Sequence, residues 1–185
     1  MAKIKRTYEK RKQLFSDMML KCGLCLGDIK ELSDGLDSIG YFIMPASINH
    51  HGNYEGGLFD HSWAVMEALE NLTYRLDLKW ERKESLYIVG LLHDLCKCVS
   101  YIYNEETGQW QYNNCEMITG HGELSVIMAQ KLFDLTEEEM LCIRWHMGAY
   151  DESKNWNILG NAIEKYPNVL YTHTADMIAS RVNGI

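Results

Sequence analysis

Seven histidines in a chain of 185 residues carry its most direct chemistry, and where they fall matters more than their number. His93-Asp94 sits inside Gly90-Leu-Leu-His-Asp-Leu95, in the middle of a strongly apolar stretch. Burying a carboxylate is costly unless it is paired or bound to a cation, so Asp94 demands a partner. His61 lies four residues before Val65 on an apolar helical stripe, and His121 precedes Leu124, Met128 and Leu132 at helical spacing. His146 follows Ile143 by three, and Asp176 falls between Leu170-Tyr171 and Met177-Ile178. Any one of these histidines alone reads most simply as a hydrogen-bonded core residue. The ordered set of His61, His93-Asp94 and a terminal Asp176 points instead to a divalent-metal centre. Nitrogen and oxygen donors without thiolates suit Mn, Fe, Co, Ni or Zn, with Mg possible.

The elements that must position these donors are helical. Pro45 and Pro167 are the only prolines, and Leu, Met, Glu, Lys and Ala are abundant. Residues 7–32 read as one or two helices broken near Gly23 and Gly27. Residues 33–57, rich in glycine, read as loops and short turns. A helix is expected from Leu58 with Val65, Leu69, Leu72 and Leu76 on one stripe. Another is expected over 82–97, apolar around most of its circumference and therefore central. Residues 99–112 alternate as a β-hairpin turning at Gly108. Helices follow at 121–133, at 136–147 behind the N-terminal signature Thr136-Glu-Glu-Glu139, and at 158–182 with an interruption near Pro167. The predicted fold class is all-α, a compact helical bundle with one small β-hairpin insert.

Hydrophobic residues make up 46% and charged residues 24%, an ordinary globular mixture that argues against disorder. No apolar run reaches the roughly 18 residues of a membrane span, and the start of the chain lacks a secretory signal. A cytoplasmic protein with no membrane partner is the expectation, and its six cysteines are read as reduced. The Cys22-Gly-Leu-Cys25 pair lacks the second pair that a zinc site needs. The net charge of −8 is uneven: residues 1–12 carry six basic side chains against Glu9, a local +5 that leaves −13 elsewhere. An acidic body repels phosphates, so a phosphate-bearing substrate needs a local cation source, which bound metal provides. The basic N-terminus itself could touch nucleic acid, but a solvated, partly frayed end is the expectation.

The ordered set resembles the signature of the HD-domain superfamily of metal-dependent phosphohydrolases: a His, a His-Asp pair and a late Asp. Lys97, in His93-Asp-Leu-Cys-Lys97, matches that superfamily's frequent lysine one turn after the pair. The segment Pro45-Ala-Ser-Ile-Asn-His-His-Gly-Asn-Tyr-Glu-Gly-Gly-Leu-Phe-Asp-His61 resembles the approach to the first ligand in HD-domain 3′–5′ exoribonucleases. Gly120-His121-Gly-Glu and Arg144-Trp-His146-Met-Gly resemble the two extra histidine motifs of two-metal HD proteins. The likeness runs over about 43–180, so residues 1–42 are read as an N-terminal helical segment and 43–185 as the HD domain. Only 42 residues precede the match, so the long-RNA binding of those exoribonucleases is not expected.

What the resemblance implies is a two-metal site. His61, His93, Asp94 and Asp176 would hold one ion, and Asp94 would bridge to a second held by His121 and His146. Asp94 and Lys97 would be catalytic, with Lys97 lending a point charge to the phosphoryl group and Arg144 a forked contact. The alternative for Lys97 is a solvent-facing helix end, and for Arg144 a surface salt bridge. In the glycine-rich loop His51 is expected to face substrate. Gly56-Gly57 would let backbone approach a phosphate at the N-terminus of the helix from Leu58, or would serve a turn needing positive φ. His173, one turn before Asp176, could support a ligand of the site from behind or lie on the helix surface, the second being the expectation. The hairpin aromatics Tyr101, Tyr103, Trp110 and Tyr112 could stack a base or simply pack the hairpin. The implied activity is phosphodiester cleavage in nucleotides or short oligonucleotides, 3′–5′ exonuclease-like, in a protein that could form a homo-oligomer. A mononucleotide phosphatase, a mixed-valence diiron oxygenase on the same ligands and a non-catalytic nucleotide-binding module are the alternatives.

Overall fold

A computed structural model describes residues 5–50, 52–113 and 120–185. Two helices open the chain, α1 (Tyr8–Lys21) and α2 (Leu26–Ser38), joined through Gly23 at φ +89°. The long α3 (Gly57–Leu76) follows, then α4 (Ser85–Leu92) and the short α5 (Lys97–Ser100). Strands β1 (Tyr101–Asn104) and β2 (Gln109–Tyr112) form an antiparallel hairpin in which Tyr101 faces Tyr112 and Tyr103 faces Trp110. Next come α6 (His121–Ala129), α7 (Glu137–Arg144), α8 (Trp156–Lys165) and α9 (Asn168–Met177), the last running into a π-helical turn, Ile178–Val182. The architecture is all-α with a β-hairpin, as the composition and periodicity predict.

The centre of the molecule is α3. It packs against α4, α9 and the π-turn, while α7 packs on α4, α6 and α9. Ten consecutive residues of α3, from Gly57 to Met66, are buried. Helix α4 is buried on nearly all sides, as expected of the most apolar segment. Phe15, Tyr41, Phe42 and Phe59 form an aromatic cluster through which α1 joins the same core as Leu58, Leu91 and Leu92. Each such side chain contributes about 1.5–3 kcal/mol by leaving water. The predicted N-terminal signature of α7 is a full capping box between Thr136 and Glu139.

Four local expectations are corrected. Residues 33–38 continue α2 rather than forming a loop, because Gly35 lies where a Cβ would come 2.8 Å from the Leu132 side chain. The expected helix over 82–97 starts at Ser85 and stops at Leu92; the chain then tightens into i→i+3 hydrogen bonds, Leu95 N to Leu92 O and Lys97 N to Asp94 O. The 158–182 segment is interrupted as expected, with α8 ending before Pro167, but its end is π-helical rather than α-helical. The basic N-terminus is not freely solvated. Arg6 pairs with Asp60 at 3.0 Å, Lys12 with Asp37 at 2.9 Å, and Arg11 is buried, donating to the carbonyls of Phe42 and Glu55. Arg6 and Arg11 thereby set positive charge beside the buried Asp60 carboxylate and the carbonyls of the loop before α3.

Candidate active site

Close helix packing brings the histidines together. Gly90 of α4 lies against α3: a Cβ there would come 2.6 Å from the Cα of Met66. Gly122 of α6 lies against the end of α7, where a Cβ would meet the Arg144 carbonyl oxygen at 2.0 Å. The first contact sets His61 beside His93, and the second sets His121 near the segment that carries His146.

At the centre, His61 Nε2 lies 3.3 Å from His93 Nε2, 3.3 Å from Asp176 Oδ1 and 3.9 Å from Asp94 Oδ2. His93 Nε2 is 3.8 Å from Asp94 Oδ2, and His146 Nε2 is 3.5 Å from Asp94 Oδ1. His61, His93, Asp94 and His146 are all buried. Three of the imidazoles are fixed from behind: Nδ1 of His61, His93 and His146 meets the carbonyl oxygens of Ile185 (2.9 Å), Gly90 (3.0 Å) and Ile143 (2.7 Å). A carbonyl can only accept, so each Nδ1 carries the proton and each Nε2 presents a lone pair inward. Two such lone pairs 3.3 Å apart repel each other unless a proton or a metal ion lies between them. Among the described residues, His146 Nε2, fully buried, has no hydrogen bond of proper geometry. Donors about 2.1 Å from a common ion lie about 3–4 Å apart, and the ligand atoms of His61, His93 and Asp94 all lie within 4.8 Å of one another. The donor set therefore fits a divalent ion.

The charges agree with this. Burial alone would raise the pKa of Asp94, yet the Lys97 charge and the His146 contact outweigh it and hold the carboxyl well below its usual range. Burial pushes His93 down to about 4, so it is neutral at physiological pH. Burial also opposes protonation of His61 and His146, but the Asp176 and Asp94 carboxylates prevail and raise both. Asp176 is drawn down to about 2, chiefly by His61 acting against its burial. Lys97 lies one turn after Asp94 in the tightened segment, where residues three apart eclipse. Although burial opposes it, the carboxylate raises Lys97 above its ordinary pKa, and Nζ sits 3.4 Å from the Tyr101 hydroxyl.

The stretch from α3 to the end of α9 holds His61, His93, Asp94, His121, His146 and Asp176. The HD domain model matches residues 58–179. The chain belongs to the HD domain family. It is 30% identical over 144 residues to the dihydroneopterin 2′,3′-cyclic phosphate phosphodiesterase of Methanocaldococcus jannaschii, an alignment covering 76% of this chain and 53% of that protein. The chain thus spans about half the length of that relative. No solved structure matches.

The other expected residues of this HD domain are placed as follows. His121 opens α6 with Nδ1 3.5 Å from the Cys96 thiol, and burial followed by the Lys97 charge lowers its pKa. Arg144 is held at 2.6 Å by Glu123 and at 2.6 Å by Asp151, with its guanidinium 4.0 Å from the Trp145 ring centre. Its fork is thus occupied by two carboxylates and ties α6 to the segment after α7. Gly57 is buried at the start of α3, its N–H donating to the Tyr54 carbonyl, and a Cβ there would meet the Gly52 carbonyl oxygen at 2.0 Å. It serves close packing of the loop rather than an open anion cradle. His51 and Cys115 lie outside the described residues. His173 is half-buried rather than on the helix surface: its Nδ1 donates to the His146 carbonyl at 2.8 Å, and its ring packs on Gly148. Sequence reasoning missed Cys96, whose thiol burial pushes up to about 12 and keeps protonated. It also missed Tyr101 beside Lys97, and the Ile185 carbonyl behind His61.

Proposed function

We propose that the protein is a metal-dependent phosphohydrolase that cleaves phosphodiester bonds of nucleotides, nucleotide-like compounds or short oligonucleotides, with two divalent ions at the Asp94 centre. One observation carries the reading. The two oxygens of Asp94 face different donors, Oδ2 towards His61 and His93, and Oδ1 towards His146. A carboxylate so placed is suited to bridge two ions, with Asp176 beside His61 on one side and His121 joining His146 on the other. Ions held there would lower the pKa of a water and offset charge developing on the phosphoryl oxygens. The chain's own residues do the rest. The carbonyls of Ile185, Gly90 and Ile143 keep three imidazoles in the ligating tautomer. Lys97, cationic beside Asp94, offers a phosphoryl oxygen a point charge, which favours phosphate chemistry over the oxygenase alternative. The similarity to a cyclic phosphate phosphodiesterase supports a diester over a monoester substrate.

The test is elemental analysis of protein purified without chelator, followed by a panel of 2′,3′-cyclic nucleotides, 3′-blocked oligonucleotides and free mononucleotides. Diester turnover that depends on added Mn, Co, Ni, Fe or Zn and stops with chelator is the expected result. Turnover of mononucleotides alone would establish the nucleotidase alternative, and iron with oxygen uptake but no phosphoesterase activity the oxygenase.

A further inference from the structure

The hairpin grows directly out of the metal centre. Lys97, one turn after Asp94, contacts Tyr101 at the root of β1. Tyr101 and Tyr112 are a facing pair with ring centres 5.4 Å apart, and the next pair on the same face is Tyr103 and Trp110, at 5.2 Å. Two residues of strand carry that second pair about 7 Å farther from the lysine, close to the span a ribose puts between a phosphate and its base. Opposite stands the loop that leads into α3. Its Tyr54 hydroxyl donates to Asp60 Oδ2 at 3.0 Å, and Asp60 is the neighbour of His61. Between hairpin and loop lies a slot of about 410 Å³, lined by Ile48, Asn53, Tyr54, Tyr103, Gln109 and Trp110. Asn53 is steadied by its amide nitrogen, which donates to the Ile48 carbonyl at 2.8 Å and leaves the side-chain oxygen as an acceptor. The hairpin wall thus roots at Tyr101 against Lys97, the loop wall is tied through Tyr54 to Asp60 beside His61, and the lining combines aromatic faces with carboxamides.

We propose that this slot binds the planar heterocycle of the substrate, stacking it on the Tyr103–Trp110 pair while Asn53 and Gln109 read its hydrogen-bonding edge. The proposal rests on the phosphodiesterase reading and names its substrate class: a phosphodiester bearing a pterin or a nucleobase. Pterin and guanine share an amino-oxo pyrimidine edge, so both satisfy the same chemistry.

Hydrolysis of three cyclic diesters, followed by ³¹P NMR, tests it: dihydroneopterin 2′,3′-cyclic phosphate, guanosine 2′,3′-cyclic phosphate and glycerol 1,2-cyclic phosphate, which has no ring to stack. The quantity read is the ratio of kcat/KM for each heterocyclic diester to that for the glycerol diester. Stacking predicts that Trp110→Ala and Tyr103→Ala each lower this ratio by about tenfold or more, mainly through KM, and that Trp110→Phe restores most of it. Preference between the first two diesters tells which heterocycle is taken. A ratio unchanged in both alanine variants, with circular dichroism matching the parent, overturns the slot. If no diester is turned over, the phosphodiesterase reading fails by itself, and calorimetric binding of GMP then decides. Binding about tenfold weaker in Trp110→Ala upholds the slot, and equal binding removes it.

Discussion

Asp94 is the residue on which the other donors converge, and its environment makes its removal diagnostic. His61 and His93 face one of its oxygens and His146 the other, so Asp94→Ala takes a donor from each half of the site. The expected outcome is turnover at background with loss of bound metal from both positions, read by elemental analysis beside a diester assay. Full activity in that variant would refute the bridge. Lys97 differs in kind, because it sits beside the carboxylate without being a metal donor. Lys97→Ala should leave the metal content intact and lower kcat by about 10- to 100-fold, the worth of one charge-assisted contact. A variant that lost its metal in parallel would make the lysine a structural partner of Asp94 instead. At this scale the donors were readable because charged and imidazole side chains interrupt apolar helical stripes, which is costly without a purpose. What positions them was not. The partners of His61, His93 and His146 are the backbone carbonyls of Ile185, Gly90 and Ile143, and every residue type carries such an oxygen. Arg144 shows the converse. Its type and motif suggest a forked contact to phosphate, but Glu123 and Asp151, 21 residues before it and seven after, already grip it.

Helices bring the donors to one place only where the backbones can touch. Gly122 faces the Arg144 carbonyl so closely that an added Cβ would lie 2.0 Å from the oxygen, and a backbone atom cannot swing aside as a flexible side chain can. Gly122→Ala should force α6 from the end of α7, lower stability by about 2–3 kcal/mol in urea titration, and cost activity by moving His121 relative to His146. Gly160 in α8 is the matched control, with nothing within 4 Å of its would-be Cβ. Gly160→Ala should raise stability by about 0.5–1 kcal/mol through helix propensity alone, and equal effects at the two sites would exclude the close-contact argument. A third glycine explains where helix replaces an expected loop. Gly35 lowers helix propensity locally and so looked like the start of a loop, whereas its missing side chain makes room for Leu132. The end of α4 was invisible for another reason. Leu95 and Cys96 prolong the apolar run past His93, and hydropathy cannot distinguish an α-helical turn from the tighter one that brings Lys97 over Asp94.

For the whole molecule, a metal ion bound as proposed would couple its binding to stability through the same donors. Among the described residues they come from α3, the turns after α4 and α7, α6 and α9, and α3, α4, α7 and α9 pack on one another around the core. An ion held by all of these clamps the bundle, and one that binds only the folded chain stabilises it by mass action, about 2.7 kcal/mol at a hundredfold excess over Kd. For a chain of this size that corresponds to about 5–10 °C in Tm, so chelation should lower Tm by this much and the divalent ion should restore it. The pH dependence has a definite sign. Without metal, the carboxylate partners raise His61 and His146 above the ordinary imidazole pKa. Their stabilising contribution is then complete below that value and is lost as pH rises through the raised one. With metal, the ion displaces those protons, so affinity increases over the same interval. The gap in Tm between metal-loaded and chelated protein should therefore widen from pH 6 to pH 8, measured by differential scanning calorimetry at fixed free metal. A gap that stayed constant or narrowed would mean that these two imidazoles release no protons on binding, and so are not ligands. His93, lowered to about 4, is already neutral across the interval and adds nothing to the slope, which separates it from its two neighbours in the same measurement.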